Sequence, residues 1–139
     1  MKNQIKLFAL LAFISLYFSS CEEKTIEPTD ANIVGAYSFT SLAYSPSSKD
    51  TKAFADLLSQ CAKNNSYTFK EGGDFVMKGK GCGEDVETIT GYYELFENQL
   101  IIENNDFLQG DFTASLKGKK LTLEAEDSGL KMTIVLTKK

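Results

Sequence analysis

From Ile33 to the C-terminus, apolar and polar residues alternate with a period of two, and this restricts the fold more than any other feature. Tyr37 and Phe39 alternate with Ala36 and Ser38, Tyr67 and Phe69 with Thr68 and Lys70, and Phe75 and Met77 with Val76 and Lys78. Ile89, Gly91, Tyr93 and Leu95 share one face, with Thr88, Thr90, Tyr92 and Glu94 on the other. The runs around Phe112–Leu116, Leu121–Ala125 and Met132–Leu136 repeat the pattern. Strands with one buried and one wet face produce such alternation. Gly72-Gly73, Glu97-Asn98, Lys117-Gly118-Lys119 and Asp127-Ser128-Gly129 fall between runs, where hairpin turns belong. The expectation is an all-β chain of eight antiparallel strands in up-and-down order. Closure into a barrel removes every open edge, and continuous hairpins favour it over a two-sheet sandwich.

One segment departs from this rhythm. Residues 50–62, "DTKAFADLLSQCA", place Phe54, Leu57, Leu58 and Cys61 at i, i+3, i+4 and i+7, a single helical face. Ser48 or Asp50 is placed to cap it. The pattern predicts one short helix between the first and second strands, its apolar stripe over one barrel mouth.

The front end has a different character. Lys2 and Lys6 precede an unbroken apolar run from Leu7 to Phe18, followed by Ser19 and Ser20. Charged start, apolar centre and small-residue exit describe a secretory signal over residues 1–20. The run is short of the roughly 20 residues that a membrane-spanning helix needs. Phe18-Ser19-Ser20-Cys21 resembles a bacterial lipobox. The resemblance implies cleavage after Ser20, a diacylglyceryl group on the Cys21 sulfur, and an acyl chain such as palmitate on the new amino group. Cleavage without lipid is the alternative. Two or more chains anchor firmly where one holds marginally. Glu22 in place of Asp implies an outer-membrane lipoprotein, at the periplasmic face or, given the acidic Glu22-Glu23, at the cell surface. Residues 21–31, polar and containing Pro28, read as the lipidated cysteine and a flexible tether, and residues 32–139 as the domain.

Loss of Lys2 and Lys6 leaves thirteen lysines against nineteen acids, a net of −6. That balance argues against nucleic acid, and against anionic lipid as an electrostatic partner. With Cys21 set apart, Cys61 and Cys82 form an even pair in an oxidising compartment. They make either a disulfide or two separate buried thiols. The chain has no His, Arg or Trp. It therefore lacks the usual general base, the commonest neutral metal ligand and the bidentate anion clamp. Neither an enzyme nor a cofactor or metal site is expected.

"NIVGAYSF", "CAKNNSYTFKEGGDFVMKGKGC", "GYYELFENQLIIEN" and "LKMTIVLTKK", in that order, resemble the lipocalin-like domain of Bacteroidota lipoproteins over residues 33–139. The resemblance implies a lipocalin-like barrel in which Gly35 and Tyr37 hold the family's Gly-x-Trp position and Cys61 and Cys82 its paired cysteines. Tyr37, Phe39, Phe54, Tyr67, Phe69, Phe75, Tyr93 and Phe112 are the candidate lining of a pocket for a small apolar or amphipathic ligand. Against this stands a barrel filled by its own side chains, which would leave a protein-interaction or enzyme-inhibitor module working through its loops. "GKGCG" (79–83) and "ENND" (103–106) read as a loop and a turn, not as phosphate or calcium sites.

Overall fold

The computed structural model describes residues 23–105 and 108–139, so the signal segment and Cys21 lie outside the described residues. In chain order the elements are β1 (Thr25–Ile26), α1 (Asp30–Ile33), β2 (Gly35–Ser45), α2 (Lys49–Ala62), β3 (Asn65–Phe69), β4 (Asp74–Gly79), β5 (Glu87–Phe96), β6 (Gln99–Glu103), β7 (Gly110–Lys117), β8 (Lys120–Asp127) and β9 (Leu130–Lys138). Each strand from β2 to β9 pairs antiparallel with the next, and β9 returns to pair with β2. This is the expected eight-stranded up-and-down barrel, closed rather than split into a sandwich, with one helix between its first two strands.

The alternation and the turns explain the closure. Every turn named from the sequence joins two paired strands. At the β8–β9 turn both Ser128 (φ 53°) and Gly129 (φ 80°) lie in the left-handed region. Two positive φ values are what a type I′ hairpin requires, and its twist matches that of the flanking strands. The β3–β4, β5–β6 and β7–β8 turns lie at one end of the barrel, the lower end. The β2–α2, β4–β5, β6–β7 and β8–β9 connections lie at the upper end.

Two additions close the lower end. Part of the segment read as a tether is docked: Thr25 and Ile26 pair with Lys117 and Leu116, on the stretch of β7 left open where β6 stops. A two-residue strand is too short to show any periodicity. One turn of helix, α1, follows. Thr29 and Asn32 form a capping box at its start, so two of its orphan amides find partners. The Tyr37 hydroxyl donates to the Ile33 carbonyl at its end (2.8 Å).

Phe69 lies at the centre of the core. Its ring meets Tyr37 edge-on at 5.6 Å, Tyr93 edge-on at 5.1 Å, and Phe75 at 4.8 Å between centroids. Edge-to-face contacts set the positive rim of one ring against the negative face of the next. Leu100, Ile102, Leu121, Leu123 and Leu136 surround the cluster and are fully buried. Tyr93 donates its hydroxyl proton to the Lys70 carbonyl (2.8 Å), so the buried rings keep their polar ends paired. Burial, and to a lesser degree Tyr93, pushes the Tyr37 hydroxyl up to about 12.

Gly35 (φ 145°) sits where the last strand crosses the first. A Cβ there would run into the Lys138 side chain. Lys138 can swing aside only by giving up its bond from the ammonium to the Asn32 carbonyl (3.1 Å) and its place 5.9 Å from the centre of the Tyr37 ring. Backbone strain and loss of the lysine's contacts act together. Gly35→Ala should therefore destabilise the domain by about 1–3 kcal/mol, measured by urea unfolding, with Lys138→Ala expected to relieve part of the loss. An unchanged midpoint for Gly35→Ala would refute the crossing geometry.

Strand β2 contains one irregularity. Its register against β9 shifts between Phe39 and Ser41, leaving Thr40 as an extra residue. Below the bulge Tyr37 and Phe39 face inward, and above it Leu42 and Tyr44 do so, opposite Ile134 and Met132. A bulge of this kind re-aims the side chains that follow it.

Candidate functional site

The upper mouth is shaped by α2. Ser48 caps it: its hydroxyl accepts from the Thr51 amide (3.1 Å) while the Thr51 hydroxyl accepts from the Ser48 amide (2.8 Å). The helix contacts β2 through a small-residue side, with Ala55 and Ala62 buried and Thr51 and Leu58 half-buried. This corrects half of the expected stripe: Leu58 and Cys61 do face inward. Phe54 and Leu57 point outward, 51% and 57% exposed, with Phe54 beside Tyr44 at 6.2 Å between ring centroids. Alanines let the helix approach the sheet closely, and that rotation carries the bulkier residues outward.

The C-terminal end of α2 is fixed at several points. Cys61 and Cys82 form a disulfide across a separation of 21 residues, with Cα atoms 4.5 Å apart. Asn64 Nδ2 donates to the Gly81 carbonyl (3.1 Å), and the Gly81 amide donates to Asn65 Oδ1 (2.8 Å). The "GKGCG" loop is thus fastened to the helix end, a structural task. The Tyr67 hydroxyl donates to the Ala62 carbonyl (3.2 Å), supplying a partner to a helix-end acceptor. Burial pushes that hydroxyl up to about 12, with a bond to Asn65 acting in the opposite direction.

Beneath α2 lies a cavity of about 210 Å³. Leu58 and Ala62 form its helical wall, Phe39 and Leu42 come from β2, and Met132, Ile134 and Leu136 from β9. Tyr67 and Phe112 form the floor, and Leu108 and Gln109 of the β6–β7 connection close one side. No charged side chain is among these residues. The Tyr67 hydroxyl is already engaged, so Gln109 alone brings a polar side chain without a described partner. An apolar cavity of about 150 Å³ stays dry and admits benzene. The space therefore suits a molecule of one or two rings, or one end of an acyl chain. A larger hollow of about 680 Å³ lies at the lower end beside α1, but it is an open groove bordered by Asp30, Glu71 and Glu94.

Three of the eight candidate aromatics meet at the cavity: Phe39, Tyr67 and Phe112. Tyr37, Phe69 and Phe75 are fully or almost fully buried in the core below it. Tyr93 is packed with them, and its edge reaches only the open lower groove. Phe54 faces outward. Among the described residues most of the interior is thus filled, and the hollow is at the upper mouth. Sequence reasoning missed Leu42, whose phase is hidden by the bulge, and Leu108, which lies in a connection without periodicity. Leu58, Met132, Ile134 and Leu136 were visible as apolar faces, but no pattern marks which inward residues border a void.

No protein-family model and no curated protein matches the chain. Among solved structures it is similar to an uncharacterized protein from Bacteroides eggerthii DSM 20697, with a TM-score of 0.50 and 16% sequence identity. The likeness covers 77% of this chain and 99% of that one. It is a likeness of fold.

Proposed function

We propose that this chain is a lipid-anchored protein of the cell envelope whose barrel holds a small apolar molecule, or the apolar end of an amphipathic one, beneath α2. The observation that carries the binding reading is the partly open, uncharged cavity of about 210 Å³ at the barrel mouth, a favoured place for ligand sites. The anchor reading draws on the lipobox-like sequence ending at Cys21. A lipocalin-like kinship agrees with the closed barrel, with Gly35 and Tyr37 packed against Lys138, and with the disulfide. The protein acts by binding, not by catalysis.

Met132 borders the cavity and gives the test a native reporter. Titration with naphthalene or decanoate should shift its methyl NMR signal saturably. Ala62→Leu, which fills the void from the helical wall, should abolish the shift and cost less than the roughly 1–3 kcal/mol of overpacking a filled site. A Met132 signal indifferent to both probes would sink the ligand reading. It would favour the second one, a protein-interaction or inhibitor module, for which the exposed Phe54 and Leu57 offer a contact surface.

A further inference from the structure

Charge is unevenly spread over the barrel. Lys24, Lys117, Lys119 and Lys120 are all exposed, and the topology gathers them on one side of the lower end. Thr25, next to Lys24, pairs with Lys117, and Lys117 pairs with Lys120 across the β7–β8 turn. The Lys138 amide donates to the Lys119 carbonyl (2.8 Å), whereas Lys139 turns the other way and borders a hollow on the β2–β4 face with Ser38, Ser66 and Lys78. Glu23 is the acid among the clustered lysines, its carboxylate lying where a side chain on Gly118 would be. Glu27, Asp30, Glu71 and Glu97 border the grooves beside α1 and β5, around the other side of this end. Glu84, Asp85, Glu87, Glu126 and Asp127 are at the upper end, interspersed with Lys49, Lys52, Lys63, Lys80 and Lys131, so the segregation of charge is within the lower end. The overall −6 conceals this separation.

The docked β1 adds a distance limit. Four residue steps separate Cys21 from Thr25, and an extended chain covers at most about 14 Å in four steps. A lipid on Cys21 therefore holds the lysine side within about one or two Debye lengths of the headgroups at 0.1 M salt. An acyl anchor joined to a cluster of lysines is a combination that binds anionic membranes. Ile26, 48% exposed, adds an apolar contact within the cluster.

We propose that the barrel stands on anionic phospholipid headgroups through Lys24, Lys117, Lys119 and Lys120, with its cavity mouth facing away from the bilayer. This rests on the lipid-anchor reading. It also assigns a route: the ligand enters and leaves through the aqueous phase, not sideways from the anchoring membrane.

The test uses the full chain made in a bacterial host that processes lipoproteins. The mass of its N-terminal peptide first reports whether Cys21 is acylated. The protein is then placed in vesicles of phosphatidylethanolamine, with and without phosphatidylglycerol, and amine acylation is followed at each lysine. Lys117, Lys119 and Lys120 should react several-fold more slowly on the anionic vesicles, and high salt should remove the protection. Lys49 and Lys52, at the upper end, should keep one rate throughout. With Lys119→Glu and Lys120→Glu combined, Lys24 and Lys117 should return to the unprotected rate, while circular dichroism confirms an intact fold. Equal rates at both ends in an acylated chain overturn the docking and leave the anchor standing. An unmodified Cys21 overturns both.

Discussion

Phe69→Ala should lower the unfolding free energy by about 3–5 kcal/mol, the range for emptying a large buried aromatic site. The side chain is fully buried and its ring touches three others, Tyr37, Phe75 and Tyr93. Those neighbours cannot close the void cheaply. Tyr37 and Tyr93 are held by hydroxyl bonds to the Ile33 and Lys70 carbonyls, and movement of either ring would break a buried hydrogen bond. The lost transfer energy and the residual cavity therefore add. Urea unfolding would show a midpoint displaced with little change in slope. Phe112→Ala, at the cavity floor, is the internal comparison. A void already borders that residue, so its loss should cost less, and equal costs for the two variants would contradict a packed lower core beneath a hollow mouth.

Removal of the disulfide should cost about 3 kcal/mol by restoring freedom to the unfolded chain. The bridged positions are 21 residues apart. Intact protein should take up no alkylating reagent at Cys61 or Cys82 without reductant, and both should label after reduction and unfolding. Cys61→Ala with Cys82→Ala should lower the midpoint correspondingly. The consequence extends to the cavity, since Ala62, beside Cys61, is part of its wall. Asn64 and Asn65 still bridge to Gly81 in that variant, so α2 should remain docked with weaker probe binding. A loss below about 0.5 kcal/mol, the range of an ordinary surface substitution, would mean that the bridge adds no constraint of its own.

The barrel was legible because its strands obey one local rule. Tyr67 and Phe69, Ile89 to Leu95, and Leu121 and Leu123 alternate regardless of partner, and the glycine and asparagine turns mark where each run ends. What escaped depends on the assembled molecule. Thr25–Ile26 forms a strand only because β6 begins at Gln99 and leaves Leu116 and Lys117 of β7 with an open edge. The face of α2 was misjudged because apolarity points to Phe54 and Leu57, whereas close approach to β2 selects Ala55 and Ala62. Lys138 reads as one more charge near a C-terminus, and only the barrel crossing brings it to Tyr37. The cavity is the least legible part of all, since a void is a property of neighbours from several elements and not of any one segment.

Thr40 gives the barrel a division of labour. Its extra residue is a phase boundary within a single strand, so Tyr37 and Phe39 answer to the plugged end while Leu42 and Tyr44 answer to the mouth. Deleting it would smooth the strand and keep Leu42 and Tyr44 opposite Ile134 and Met132, whereas a regular strand that kept Thr40 would turn Ser41, Ala43 and Ser45 inward and replace the oily wall with a hydroxyl-lined one. The facing of the mouth's wall thus hangs on one inserted residue, while the aromatic centre below it keeps its own phase.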